Sequence, residues 1–233
     1  LFAMSHEKII EVSEESHFFL ESEEKQKQKI ITIEGGDIMM IAENHLIVGC
    51  SERTSRNAVD AIIHKVFSIR SLGIEKISVV QIPPNRAQMH IDTIFTQIKK
   101  NAWIIYGRYS ETIEKEKQAI QIDYTSLFST PQSLKKDKLR VTQFYKQKFQ
   151  PYEASKNYFF KELGGLEELL TNISIESFGA NKSEIKIIYS GNNDFPYNDR
   201  EQWTDSCNLL ALKDGVVIGY DRNEKTIEAF RNK

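Results

Sequence analysis

"IEGGDIMMIAENHLIVGCSERTS" (residues 33–55) is the stretch from which the fold is read outward. Just before it, the apolar run "KIITI" at 29–33 ends in Glu34, two glycines and Asp37. The β-branched run predicts a strand that stops at the glycines, and "HLIVGC" predicts a second short strand. Next, "SRNAVDAIIHKVFSIRSLG" sets Ala58, Ile62, Val66 and Ile69 at helical spacing. Ser55 is a candidate N-cap there and Gly73 a candidate stop. "KISVVQI" predicts a third strand, ended by Pro83 and Pro84. The result is a β-β-α-β unit. Glu34 beside Gly35 and Gly36 has two readings, a plain turn or an acid placed where the backbone must be approached closely.

The pattern continues downstream. "MHIDTIFTQI" leads to the strand "AWIIYGR", "LEELLTNIS" is helical in period, and "EIKIIYS", "CNLLAL" and "GVVIGYD" are strands. Asp214–Gly215 signals a hairpin, and "NEKTIEAFRN" opens a helix with Asn223 as candidate cap. The α/β order therefore recurs, although similarity letter by letter is too weak to establish a repeat. Residues 110–150, rich in Lys, Gln and Glu, read as an exposed, partly helical, charged insertion in a single domain spanning 1–233. Tyr145, Phe149 and Tyr152 with interleaved lysines could be drawn as a nucleic-acid face, but the overall charge argues against it.

Lys plus Arg number 31 and Asp plus Glu 33, a formal net charge of −2. This gives no electrostatic case for nucleic acid or an anionic membrane. No apolar run is long enough to span a bilayer and no secretory signal is visible. Cys50 and Cys207 lack metal-ligand or disulfide-framework spacing, which fits a reducing, cytoplasmic setting. The chain starts with Leu and ends inside a predicted helix. The expectation is therefore a central portion of a longer protein.

Three polar clusters invite chemistry. Glu34 and Asp37 flank the Gly-Gly pair, where a carboxylate can transfer protons or hold a cation. Arg53 lies between a predicted strand and helix and can clamp a carboxylate in a bidentate fork. The alternative is a surface ion pair with an acid such as Glu52. His90 and Asp92 share one face if their segment is extended. They would form an acid/base or cation-binding pair, with no further ligand at metal-binding spacing. His6, His17, His45 and His64 read as surface or helix residues.

In this order and spacing, "IEGGDIMMIAENHLIVGCSERTS" followed by "RAQMHIDTIFT", with "REQWTDSCNLLAL" and "GVVIGYDRNEKT" later, resembles the arginine deiminase family. That family belongs to the guanidino-group-modifying pentein superfamily. The resemblance implies an α/β fold, a pentein β/α-propeller of ββαβ-type repeats, here incomplete. It implies hydrolysis of L-arginine to citrulline and ammonia through a cysteine thiouronium intermediate, with no cofactor. It gives proton transfer to Glu34 and His90, grip on the guanidinium to Asp92, hold on the α-carboxylate to Arg53, and a substrate-side role supporting the Gly-Gly turn to Asp37.

Two departures stand out. The family's second guanidinium-binding Asp, in a Phe-Thr-Arg-Asp type segment, has no counterpart in residues 1–33, and its glycine-rich Cys loop is not present. Cys207 and Cys50 read as packing thiols instead. The chain by itself is expected to be inactive and, with sheet edges open, to find a partner chain or self-associate as a homo-oligomer. Alternatives are an amidinotransferase or methylarginine hydrolase of the same superfamily, or a non-catalytic guanidinium-binding protein.

Overall fold

The computed structural model describes residues 31–83, 88–115, 139–147 and 158–232. Its first unit opens with a 3-10 turn at Gly35–Asp37 and the hairpin β1 (Ile38–Ala42) and β2 (His45–Cys50). Helix α1 (Arg56–Ser68) then returns the chain to β3 (Lys76–Gln81), which pairs parallel to β2 from His45↔Lys76 to Cys50↔Gln81. Ser55 accepts a bond from the Ala58 N–H as N-cap, and Gly73 takes the left-handed conformation at φ 71° before β3. Val59, Ile62, Ile63, Val66 and Phe67 of α1 are buried against Val48 and Ile77. Each such side chain contributes roughly 1.5–3 kcal/mol by leaving water.

The second unit repeats the device. A 3-10 turn at Ile91–Thr93 leads into the antiparallel pair β4 (Phe95–Lys99) and β5 (Ala102–Ile105). Two further strands intervene, β6 (Arg140–Lys146) and β7 (Tyr158–Leu163), before α2 (Leu166–Glu176) and β8 (Lys186–Tyr189) complete the unit. β8 lies parallel to β5, as β3 lies parallel to β2. Even the hairpin irregularity recurs, between Met40 and Ala42 in one and between Gln97 and Lys99 in the other. The backbone thus establishes the internal repetition that letter comparison cannot. After the short helix α3 (Tyr197–Trp203) come the hairpin β9 (Leu210–Lys213) and β10 (Val216–Ile218), turning through Gly215 at φ 75°, and then α4 (Glu224–Arg231).

β6 and β7 do not stay with the second unit. They extend the first sheet, in the order β1-β2-β3-β6-β7, with β6 antiparallel to β3. Among the described residues of the insertion, 111–115 are helical and 140–146 form a strand, and that strand is what the sequence reading did not anticipate. Tyr145 stacks on Phe159 at 5.0 Å in that added sheet. Phe149 and Tyr152 lie outside the described residues. Ile47, Val80 and Ile82 of the first unit share a buried cluster with Ile91, Phe95, Trp103, Leu166 and Leu169 of the second, and Trp103 Nε1 donates to Ser174 Oγ at 2.8 Å. Among the described residues no helix is long and apolar enough to cross a membrane.

Three local expectations are corrected. In "KIITI", residues 31–33 are not strand; the pairing begins after the glycines at Ile38, because the Gly35–Asp37 turn lies between. Asn223 makes no capping bond to α4; its side chain bonds Thr204, and Glu201 caps the helix instead. His45 is not a surface residue. It is 1% exposed and bonded to Ser78 Oγ at 2.7 Å.

Candidate active site

The two 3-10 turns stand side by side, and this brings the three polar clusters together. His90 Nε2 lies 2.5 Å from Glu34 Oε2, and His90 Nδ1 lies 3.7 Å from Asp92 Oδ1. Arg53 Nη1 is 3.6 Å from Glu34 Oε1, and its Nη2 reaches Met89 Sδ at 3.6 Å. Thus Glu34 joins the histidine on one side and the guanidinium on the other. Exposure falls across the cluster, with side chains of Arg53 51%, Glu34 42%, Asp92 27% and His90 18% open to solvent. The groups therefore face an opening.

Gly36 explains the glycine pair. A Cβ there would lie 2.7 Å from Asp92 Oδ2 and 2.8 Å from His90 Nδ1, closer than real contacts allow. Nothing lies near the corresponding point of Gly35. Neither glycine has positive φ. The close approach of His90 and Asp92 to the backbone, rather than a left-handed turn, is what requires Gly36.

Asp37 has a different place. It is fully buried, accepts from the Ile91 N–H through Oδ1 at 3.1 Å and from Ser51 Oγ through Oδ2 at 2.6 Å. Gly49 must be bare because its Cβ would collide with that carboxylate. The expected support of the Gly-Gly turn by Asp37 has a counterpart in these two bonds, a frame that joins the turn at Gly35–Asp37 to the turn at Ile91–Thr93.

The loop before α1 supplies more of this frame. Ser51 Oγ accepts from the N–H groups of Arg53 and Thr54, both at 3.0 Å, while Thr54 Oγ1 accepts from the Glu34 N–H at 3.1 Å. Ser55 also accepts from the Thr32 N–H at 3.2 Å. Ser51 and Thr54 were missed as positioning groups; the run of hydroxyls in "SERTS" was the available signal. His90 and Asp92 do share a face, but through an extended His90 followed by the turn, not through a strand.

Electrostatics favour a cationic guest. Burial holds the Asp92 carboxyl above its ordinary range, opposed by the nearby His90 and reinforced by Asp37. Asp92 Oδ1 is buried with no hydrogen-bond partner, since 3.7 Å to His90 is too long for one. A donor arriving from the opening would satisfy it. Cys207 is fully buried, which pushes its thiol well up, and half-buried Cys50 is likewise raised by desolvation. Among the described residues no cluster of His, Cys, Asp and Glu could hold a metal ion.

The family model described as arginine deiminase matches residues 9–233. The arginine deiminase of Staphylococcus haemolyticus is 30% identical over 201 residues, covering 86% of this chain and 41% of that protein. That of Mycoplasma capricolum subsp. capricolum is 30% identical over 200 residues, covering 86% of this chain and 40% of that protein. The chain thus spans about two-fifths of the length of the curated relatives it matches. A solved structure of a mutant DDAH from Pseudomonas aeruginosa, complexed with citrulline, is 25% identical over 38% of this chain and 31% of that one, with a TM-score of 0.27.

Proposed function

The chain belongs to the arginine deiminase family, and on that premise we propose that it serves the hydrolysis of L-arginine to citrulline and ammonia. The observation that carries this reading is the convergence of Glu34, His90, Asp92 and Arg53 beside the bare backbone of Gly36. A guanidinium is planar and cationic, and Asp92 offers an unpartnered buried carboxylate oxygen to its N–H groups. Arg53 receives the substrate's α-carboxylate at the outer, more exposed end, leaving its resting place on Glu34.

The chemistry follows from the groups present. A thiolate adds to the guanidinium carbon, and the C–N bond to one terminal nitrogen breaks as that nitrogen receives a proton from the Glu34–His90 pair. Ammonia leaves and an S-alkylthiouronium remains. Water, losing a proton to the same pair, adds to the carbon; the C–S bond breaks and citrulline departs with the thiolate restored. Cys50 and Cys207 do not supply that sulfur, because one sits at a strand end with a raised pKa and the other is fully buried. In this reading the nucleophile comes from outside these 233 residues, the ββαβ units belong to a propeller of such units, and the setting is cytoplasmic.

The same burial favours a second reading for these residues alone, namely guanidinium binding without turnover. Calorimetry of the chain with L-arginine, alongside citrulline assay of the chain and of a complete enzyme carrying the nucleophile, separates the two. The proposal expects binding by both and citrulline from the complete enzyme only, lost in His90→Ala. Absence of arginine binding by both would reject the guanidinium site. Citrulline from the chain, abolished by Cys207→Ser, would reject the account of the nucleophile.

A further inference from the structure

The Ile91–Thr93 turn is held at both ends. At its start the Ile91 N–H donates to Asp37 Oδ1 at 3.1 Å. At its end the Thr93 carbonyl accepts from Nε2 of Gln202, a residue of α3 that is only 3% exposed. Asp92 is the residue between these two anchored peptide groups. The α3 anchor is itself fixed, because the neighbouring Glu201 accepts from the N–H groups of Lys225 and Thr226 at 2.9 and 2.8 Å, locking α3 to the start of α4. We propose that Gln202 is a positioning residue that sets the Ile91–Thr93 turn so that Asp92 faces the guanidinium subsite beside Gly36. This rests on the guanidinium-binding reading of Asp92.

The chemistry at Gln202 supports positioning over packing. Its Oε1 is buried with no hydrogen-bond partner among the described residues. A buried amide that leaves its acceptor unmet is a costly way to fill space, and an apolar side chain of the same volume would avoid the cost. What Gln202 supplies and an apolar residue cannot is the donor to Thr93. The turn is short, so a rotation at Thr93 transmits to the adjacent Asp92, whose Oδ2 occupies the place beside Gly36 where a Cβ would otherwise lie.

The test is a double-mutant cycle in the chain, using Gln202→Met and Asp92→Asn, with L-arginine and its carboxylate-free analogue agmatine titrated by calorimetry. With Asp92 in place, Gln202→Met weakens both ligands about tenfold, while in the Asp92→Asn background the loss is below about twofold, because the two residues act as one unit. Equal losses in both backgrounds, or no loss, overturn the proposal. A second readout needs no ligand. Burial holds the Asp92 carboxyl above its ordinary range among His90, Asp37 and Asp205, and its carbon-13 shift followed against pH reports this. In Gln202→Met the midpoint returns toward the ordinary carboxylate value; an unmoved midpoint overturns the proposal whether or not arginine binds. Absence of arginine binding by the unaltered chain counts against the proposed function, not against the anchor. Gln202→Asn, too short to reach Thr93, serves in the same cycle if Gln202→Met does not fold.

Discussion

Gly36 and Asp92, far apart in sequence, are in contact: a Cβ on Gly36 would meet Asp92 Oδ2 at 2.7 Å. The carboxylate of one turn rests on the bare backbone of the other. The site is thus a joint between two repeated units, and its residues are set by how the two turns abut.

Gly36→Ala tests that joint. The added methyl must displace Asp92 or His90, both of which face the opening. We expect arginine affinity to fall by about tenfold or more, with a stability loss of only about 1–2 kcal/mol, since the neighbours are side chains that can swing outward. Gly35→Ala, with open space at its Cβ, should leave affinity unchanged. Calorimetry on both variants decides it; equal effects would mean the contact is unimportant.

Asp37→Ala should act on stability first. It removes two bonds to a buried carboxylate and orphans the Ile91 N–H. Bonds to charged groups contribute about 1.5–3 kcal/mol each, so a loss of about 3–5 kcal/mol is expected in urea unfolding. A loss below about 1 kcal/mol would contradict the frame role.

Arg53→Ala should discriminate between ligands. If Arg53 receives the α-carboxylate, L-arginine weakens by about 10–100-fold, in line with the cost of losing a charge-assisted pair, while agmatine is nearly unaffected. An equal loss for both would place Arg53 on the guanidinium end instead. Removing its weak contact to Glu34, an exposed pair at 3.6 Å, should itself cost little.

His45 makes stability depend on pH. Burial and the nearby Lys76 lower its pKa to about 3, against 6.5 for the free side chain. Because the unfolded chain binds the proton more readily, this contribution is complete above about pH 6.5 and is lost as pH falls toward 3. The full loss is on the order of 4–5 kcal/mol at the ordinary linkage slope. His45→Gln, which can still bond Ser78, should flatten the unfolding free energy between about pH 6.5 and 3. An unchanged slope would show that other groups carry it.

Much of this was legible from local pattern. "HLIVGC" became β2 with the same ends, because an unbroken apolar run suits a strand covered on both faces. Ser55, Gly73 and the Asp214–Gly215 turn were readable because caps and turns are set by nearest neighbours. The grouping of Glu34, Arg53, His90 and Asp92 came from the family resemblance, and the structure brings the four together. The β character of 140–146 was hidden, since its alternation is diluted by Lys, Gln and Arg and its partner is β3 of another unit. His45 misled for the same reason: burial is decided by what packs over the strand.

The sequence by itself determined β2, α1, β3, β5, α2 and β8 and which polar residues were available, because periodicity and turn chemistry act over a few residues; β1, which starts only after the glycines, the added β6 and the repetition itself came from the structure. Only the tertiary structure decided that Gly36 and not Gly35 must be bare, that Asp37 belongs to the frame, and that Gln202 of a later helix reaches the turn bearing Asp92. Those outcomes depend on distances between segments separated by tens of residues, set by the packing of one unit against the next.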